Sequence, residues 1–227
     1  MQARNGYIRC MTIPESQLHA PEVRAQVGAP PEEALAATVL VHGRGDSAHG
    51  ILGLATVVDA PRVAFLAPEA RHNVWYPHTF LAPPAQNEPW LSSALAAVDA
   101  AVVTATAAGV PRERVVLLGF SQGACLVTEY AARQGGRYGG VVALSGGLIG
   151  DAVERDRYAT SLDGTPAFFG CSDVDPYIPV ERVRESAALY RELGAAVEER
   201  VYPGFTHSVN QDEVDWWQSL LNDLTSG

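Results

Sequence analysis

The sequence contains no lysine, and all sixteen of its basic residues are arginines. A chain without lysine cannot form the Schiff base of pyridoxal phosphate enzymes, and it cannot place a lysine on nucleotide phosphates in a Walker A loop. The formal net charge is −10. Because nucleic acid and anionic membrane surfaces repel a protein of this charge, the sequence predicts neither as a partner.

Cysteine is also scarce. The three cysteines, Cys10, Cys125 and Cys171, are odd in number and widely spaced. This pattern argues against a disulfide framework and against a zinc site. The histidines outside the motifs described below show no ligand-type spacing with cysteines or carboxylates, so we expect neither a metal nor an organic cofactor.

Long hydrophobic runs are missing as well. We find no run that we expect to span a bilayer, and residues 1–7 lack the apolar core of a secretion signal. We therefore expect a cytoplasmic protein without membrane insertion. A chain of 227 residues with 47% apolar content fits one globular domain, 1–227. The sequence does not fix the oligomeric state, and a homodimer is one of the assemblies that it allows.

Short apolar runs that do not alternate with polar residues recur along the chain. This pattern is typical of parallel strands that are buried on both faces. The predicted strands are 37–41, 63–67, 115–118, 141–144 and 166–169, with Tyr7–Ile13 as a candidate edge strand. Apolar residues spaced by three and four predict helices over 91–108, 180–193 and 212–224, and a further helix is expected over 124–134, after the motif described below. The alternation predicts an α/β fold with a doubly wound, mostly parallel sheet and helices on both faces.

The most informative motif is Gly-Phe-Ser-Gln-Gly at 119–123, directly after the apolar run 115–118. A strand, a sharp turn and a helix in this order form a nucleophile elbow, which lifts the hydroxyl of Ser121 above the edge of the sheet. Glycines stand at 119 and 123 because such a turn leaves no room for Cβ atoms there. Ser121 is therefore the candidate nucleophile.

An acid and a histidine follow Ser121 in the order that an α/β-hydrolase requires. Downstream of Ser121 the only histidine is His207, in a loop after a strand-like stretch. Asp173 and Asp175 both follow the predicted strand 166–169. We favour Asp175 as the acid because Pro176 and the residues up to 179 can fix its loop, and we expect Asp173 to be a turn or capping residue.

An oxyanion hole also has candidates. His42 and Gly43 follow the strand 37–41, and a His-Gly-x-Gly turn at this place offers a backbone N–H to a developing oxyanion. The backbone N–H of Gln122, next to the nucleophile, offers another donor. We expect His42 to brace the donor turn by hydrogen bonding rather than to act as the base.

These segments together resemble the phospholipase/carboxylesterase group of α/β-hydrolases, relatives of the acyl-protein thioesterases. The matching segments are His42-Gly43-Arg44-Gly45-Asp46, Gly119-Phe120-Ser121-Gln122-Gly123, Leu144-Ser145-Gly146-Gly147, Asp175-Pro176-Tyr177-Ile178-Pro179 and Thr206-His207-Ser208. The resemblance implies an α/β-hydrolase fold, with the backbone N–H groups of Arg44 and Gln122 as the oxyanion hole. The eukaryotic thioesterases of the group usually carry Leu where this chain has Arg44, and this difference weighs against protein depalmitoylation.

The substrate-binding residues are predicted from the size of the chain. We expect that 227 residues leave no room for a separate lid domain beside a full sheet and its helices. The loop 68–90, with Trp75 and Tyr76, and the turn that carries Leu148 are then available to wall an acyl pocket. Long loops with aromatic residues often cover a site, although such residues also simply pack a loop down. We expect a small-molecule ester with a short to medium acyl group.

Other functions stay open at this point. An acyl-protein or lysophospholipid thioesterase or lipase uses the same triad. A non-catalytic binding protein of the same fold would normally have lost a member of the triad, and this chain has all three. Acyl transfer and perhydrolysis also run on this triad, and the sequence does not separate them from hydrolysis.

Overall fold

The computed structural model describes residues 18–159 and 161–226. Its centre is a seven-stranded sheet with the strand order β1-β3-β2-β4-β5-β6-β7. The strands are β1 Val23–Gly28, β2 Ala36–Val41, β3 Val63–Pro68, β4 Val115–Phe120, β5 Gly140–Leu144, β6 Pro166–Ser172 and β7 Ala196–Tyr202. β1 pairs antiparallel with β3, and every other pairing in the sheet is parallel.

The five strands predicted from apolar runs are all present. β1 was not predicted, because it is an edge strand whose residues are mostly exposed and which therefore carries no apolar run. β7 is the strand-like stretch before His207. The candidate edge strand Tyr7–Ile13 lies outside the described residues.

The described part of the chain forms five α-helices beside the sheet: α1 Ala48–Ile51, α2 Trp90–Ala107, α3 Gln122–Gln134, α4 Val180–Glu192 and α5 Gln211–Thr225. The last four confirm the predicted helices to within two residues at each end. The short α1 was not predicted, since four residues are too few to show a helical period.

The helices cover both faces of the sheet. Val39, Leu117 and Phe169 point to the face on which α2, α3 and α4 pack. Their neighbours along the strands point to the opposite face, which α1 and α5 cover, and there Trp217 packs among buried strand residues. Because successive side chains of a strand point to opposite faces, burial on both sides requires the uninterrupted apolar runs seen in the sequence. The predicted doubly wound α/β fold is confirmed.

Helix α2 departs from one expectation. By length and composition alone its 18 residues, Trp90–Ala107, are apolar enough to cross a membrane. In the structure eight of them are buried, among them Leu91, Val98 and Val102. The helix packs against β3 and β2 and against α3. Its apolar character is thus used in the core of the fold.

Four parallel strands end at one edge of the sheet. β2, β4, β6 and β7 end at Val41, Phe120, Ser172 and Tyr202, and the motifs singled out in the sequence follow directly after these ends. In open α/β sheets, ligands bind in the crevice outside the carboxyl ends of the strands. The fold therefore gathers Ser121, Asp175, His207 and the turn with His42 and Arg44 at one edge.

Helix α5 begins with a buried carboxyl group. Asn210 and Glu213 form a capping box, in which each side chain accepts a hydrogen bond from the backbone N–H of the other residue. Glu213 is only 2% exposed. Burial raises its pKa from 4.5 to about 7, and the nearby carboxylate of Asp212 acts in the same direction.

We predict that Glu213→Gln stabilises the protein above neutral pH. The unfolded glutamate loses its proton near pH 4.5, whereas the folded one keeps it up to about pH 7. The folded state therefore binds more protons in this interval, and Glu213 lowers stability as the pH rises through it. Glutamine has an oxygen for the Asn210 N–H and no charge, so at alkaline pH the variant should gain up to roughly 3 kcal/mol over the wild type. Urea unfolding of both proteins at about pH 5 and about pH 8 measures the difference. The same pH dependence in both proteins would contradict the prediction.

Candidate active site

Ser121 sits on a strained turn between β4 and α3. Its backbone has φ 55° and ψ −119°, a conformation that residues with a Cβ atom rarely adopt. The turn brings α3 very close to the sheet. A Cβ at Gly119 would lie 2.3 Å from the backbone of Gly123, and a Cβ at Gly123 would lie 2.0 Å from the carbonyl oxygen of Val41. Only glycine fits at either position, as the sequence motif indicates.

A chain of hydrogen bonds links Ser121, His207 and Asp175. The Oγ of Ser121 is 2.9 Å from Nε2 of His207, and Nδ1 of His207 is 2.6 Å from Oδ2 of Asp175. The Asp175 side chain is fully buried, and that of His207 is 15% exposed. A buried carboxylate needs hydrogen-bond donors, and the Nδ1–H of His207 is one of them. This bond orients the imidazole, so that its other nitrogen, Nε2, faces the serine.

The loop after β6 holds Asp175 in place. The second carboxylate oxygen, Oδ1, accepts hydrogen bonds from the backbone N–H groups of Tyr177 at 2.9 Å and Ile178 at 3.0 Å. Asp173 has a different position, because its Oδ1 accepts a hydrogen bond of 2.7 Å from the backbone N–H of Gly204. Asp173 thus ties its own loop to the loop that carries His207, and only Asp175 contacts the imidazole.

Two aromatic rings flank His207. The ring of Phe120 lies 4.9 Å from the imidazole, and the ring of Tyr177 lies 5.0 Å from it on an exposed side chain. Phe120 directly precedes the nucleophile, and Tyr177 follows two residues after the acid. Their proximity to the motifs was a usable signal in the sequence, although neither was predicted to be part of the site.

His42 braces the turn after β2. It is completely buried, and burial lowers the pKa of its imidazole. A neutral ring accounts for both of its hydrogen bonds, since Nδ1 donates to the carbonyl of Gly43 at 2.7 Å and Nε2 accepts from the N–H of Ala70 at 3.1 Å. The next residue, Arg44, lies at the wall of the cavity described below.

Two backbone N–H groups remain available beside Ser121. Gln122 is the first residue of α3, and the first N–H groups of a helix have no partner within it. Neither its N–H nor that of Arg44 donates a hydrogen bond to any residue that the structure describes. Gly45, by contrast, uses its N–H on the carbonyl of Asn73 at 2.7 Å.

A cavity of about 610 Å³ opens at Ser121 and His207. This is a common size for a small-molecule site. Its apolar wall is formed by Tyr76, Phe80, Phe120, Cys125, Tyr177 and Ile178. Burial raises the pKa of the Cys125 thiol to about 12, so this cysteine contributes an apolar surface and no thiolate.

The structure does not bring Trp75 and Leu148 to the cavity. Trp75 is fully buried behind the donor turn, with its indole N–H on the carbonyl of His42 at 2.9 Å and its ring 4.9 Å from the imidazole of that residue. Leu148 is fully buried and bonded through its N–H to the hydroxyl of Ser186 on α4. Of the three residues predicted to wall the acyl pocket, Tyr76 alone lines the cavity.

The mostly parallel sheet, the strained elbow and the hydrogen-bonded serine, histidine and aspartate define an α/β-hydrolase. A family model described as phospholipase/carboxylesterase matches residues 23–224. The chain therefore belongs to the phospholipase/carboxylesterase family.

Relatives with known names agree with this placement. A phospholipase/carboxylesterase of known structure from Dyadobacter fermentans is 40% identical, with a TM-score of 0.86, and the match covers 89% of this chain and 97% of that one. Acyl-protein thioesterase 1 from Yarrowia lipolytica is 30% identical over 216 residues, which covers 86% of this chain and 93% of the relative. Acyl-protein thioesterase 1 from Debaryomyces hansenii is 31% identical over 117 residues, and there the chain spans 50% of the relative's length.

We predict that Asp175→Asn lowers turnover far more than Asp173→Asn. An asparagine at 175 can place its amide nitrogen toward Nδ1 of His207, which turns the imidazole to the wrong tautomer, and in a serine protease this change costs on the order of 10⁴ in turnover. Asparagine at 173 keeps an oxygen for the Gly204 N–H and serves as the matched control. Turnover of a nitrophenyl butyrate ester by both variants measures the difference. If Asp173→Asn were the inactive variant, the acid would have been assigned wrongly.

Proposed function

We propose that the protein is a serine carboxylesterase that hydrolyses small-molecule esters with short to medium acyl groups. The observation that carries the proposal is the unbroken hydrogen-bond chain from Ser121 through His207 to Asp175, which opens onto a largely apolar cavity. Membership of the phospholipase/carboxylesterase family supports the same reaction class.

The geometry suits a two-step acyl transfer. In the first step Ser121 Oγ attacks the ester carbonyl carbon, and His207 Nε2 takes the hydroxyl proton while Asp175 stabilises the imidazolium. The carbonyl oxygen becomes an oxyanion, for which the free N–H groups of Arg44 and Gln122 are the donors. Each such donor contributes roughly 3 kcal/mol in other hydrolases.

Collapse of the tetrahedral intermediate breaks the ester C–O bond. The leaving alkoxide takes the proton from Nε2 and departs as the alcohol, which leaves the acyl group on Ser121. A water molecule then gives a proton to Nε2 and attacks the acyl carbonyl. Collapse of the second intermediate returns that proton to Ser121 Oγ and releases the carboxylic acid.

The experiment that tests the nucleophile is covalent labelling with a fluorophosphonate. Ser121→Ala should lose the label and nearly all turnover, because no other described hydroxyl has a histidine base at 2.9 Å. Ser145→Ala is the matched control, since Ser145 also follows a central strand with a positive φ, of 52°, and contacts no histidine. A Ser121→Ala protein with full esterase activity would show that the nucleophile lies elsewhere.

The second candidate function is hydrolysis of long-chain acyl thioesters or lysophospholipids. The similarity to acyl-protein thioesterase 1 favours it. The two functions differ in the acyl group that the cavity must hold. Each methylene buried in an apolar pocket contributes about 0.8 kcal/mol until the pocket is full, so the length at which activity stops rising measures the depth of the pocket.

We predict that kcat/KM for nitrophenyl esters peaks at a short to medium acyl chain. Phe80 is 5% exposed and lines the cavity, so Phe80→Ala should deepen the pocket and move the peak to a longer chain. Leu148→Ala also removes a buried side chain but does not touch the cavity, and it should leave the peak in place. Activity that rises steadily through the palmitoyl ester would contradict the carboxylesterase proposal and support the thioesterase alternative.

A further inference from the structure

One carbonyl group joins the two segments that flank the nucleophile. The carbonyl oxygen of Tyr76 accepts a hydrogen bond of 2.8 Å from Nε2 of Gln122 and another of 2.7 Å from Nη2 of Arg44. Gln122 follows the nucleophile, and Arg44 belongs to the turn after β2. The two residues therefore meet through their side chains at a point on the loop 68–90.

The same two side chains also hold the neighbours of Tyr76. The Oε1 of Gln122 accepts from the backbone N–H of Trp75 at 3.0 Å, and Nη2 of Arg44 donates to the carbonyl of His78 at 3.0 Å. The backbone of residues 75–78 is thus held by hydrogen bonds from both Gln122 and Arg44. Because Gln122 is only 6% exposed, its amide would be costly to bury without these partners.

We infer that the side chains of Arg44 and Gln122 are positioning residues for the oxyanion hole. By bonding to the same Tyr76 carbonyl, they hold the turn after β2 and the first turn of α3, which carry the two backbone N–H donors, at a fixed separation. The inference rests on the proposed function, in which the backbone N–H groups of these same two residues receive the oxyanion. A donor misplaced by about 1 Å can cost on the order of 100-fold in rate. A shared anchor restrains this displacement, because moving either segment away from the other strains or breaks its side-chain bond to the Tyr76 carbonyl.

Arg44 offers the cleaner test because its side chain is exposed and its loss leaves no cavity in the core. In Arg44→Leu the anchor is lost, and we expect kcat for a nitrophenyl butyrate ester to fall roughly 10- to 100-fold with KM changed less than about threefold. Arg44→Lys keeps a donor for one of the two carbonyls and should restore most of kcat. The thermal midpoint should stay close to that of the wild type.

Arg137 provides the matched control. Its Nη1 also donates to two carbonyl groups of one exposed loop, those of Asp163 and Gly164, but this loop precedes β6 and so lies at the opposite edge of the sheet. Arg137→Leu should leave kcat unchanged. If it lowers kcat as much as Arg44→Leu does, the effect is general loss of loop structure and the inference is wrong.

A transition-state analogue separates positioning from substrate binding. A trifluoromethyl ketone adds to a serine and carries an oxyanion, so its affinity should fall in Arg44→Leu by the same factor as kcat/KM. An unchanged kcat, or a loss confined to KM, would overturn the inference. Arg44→Leu must still be labelled at Ser121 by a fluorophosphonate. A wild-type protein that neither takes this label nor hydrolyses esters would instead refute the proposed function.

A double variant tests the shared anchor. Gln122→Met keeps the length of the side chain but removes its donor. Because both side chains act on one carbonyl, the loss of kcat in Arg44→Leu with Gln122→Met should be smaller than the product of the two single losses. Fully multiplicative losses would mean that the two side chains act independently, and the shared anchor would be rejected.

Discussion

The structure depends on how closely the first turn of α3 approaches the end of β2. The Cα of Gly123 faces the carbonyl oxygen of Val41 at a distance that leaves no space for a side-chain carbon. This contact makes the turn at Ser121 sharp and holds its backbone at a positive φ. Such a conformation is unfavourable by itself and persists only when the surrounding structure imposes it. Here the imposed strain points the hydroxyl group out of the sheet and toward His207.

The second constraint is electrostatic. The Asp175 carboxylate is fully buried, in a protein that already carries a net charge of −10. Three hydrogen bonds compensate the loss of its hydration, two from backbone N–H groups of its own loop and one from His207. Because one of the three belongs to the imidazole, the burial of Asp175 and the orientation of His207 are one arrangement. His207 therefore bonds both to the serine on the strained turn and to the buried carboxylate.

The fold and the three hydrogen-bonded residues of the candidate site could be predicted from the sequence, but the residues that line the cavity could not. The contact of Ser121, Asp175 and His207 could be predicted because each follows a strand end, and strand ends are visible as breaks in apolar runs. Trp75 and Leu148 were assigned to the wall because their loop and turn were the segments left to form one, yet the sequence does not tell which side chains of a loop point toward the cavity. The structure buries both side chains away from the cavity, and it places Phe120 and Tyr177 beside the imidazole instead. The edge strand β1 could not be predicted either, because its mostly exposed residues form no apolar run.

The hydrogen bonds of the loop 68–90 argue against the mobile cover that its sequence suggests. A long loop with five prolines and several aromatic residues suggests a cover over the site. A cover that opens must break its contacts with the body of the enzyme in each cycle. Residues 73–78 instead bond to both segments beside the nucleophile, through Gly45, Arg44, Gln122 and the carbonyl of His42. Opening this part of the loop would break all of these bonds, so residues 76–78 are better described as a wall of the cavity that hydrogen bonds hold in place.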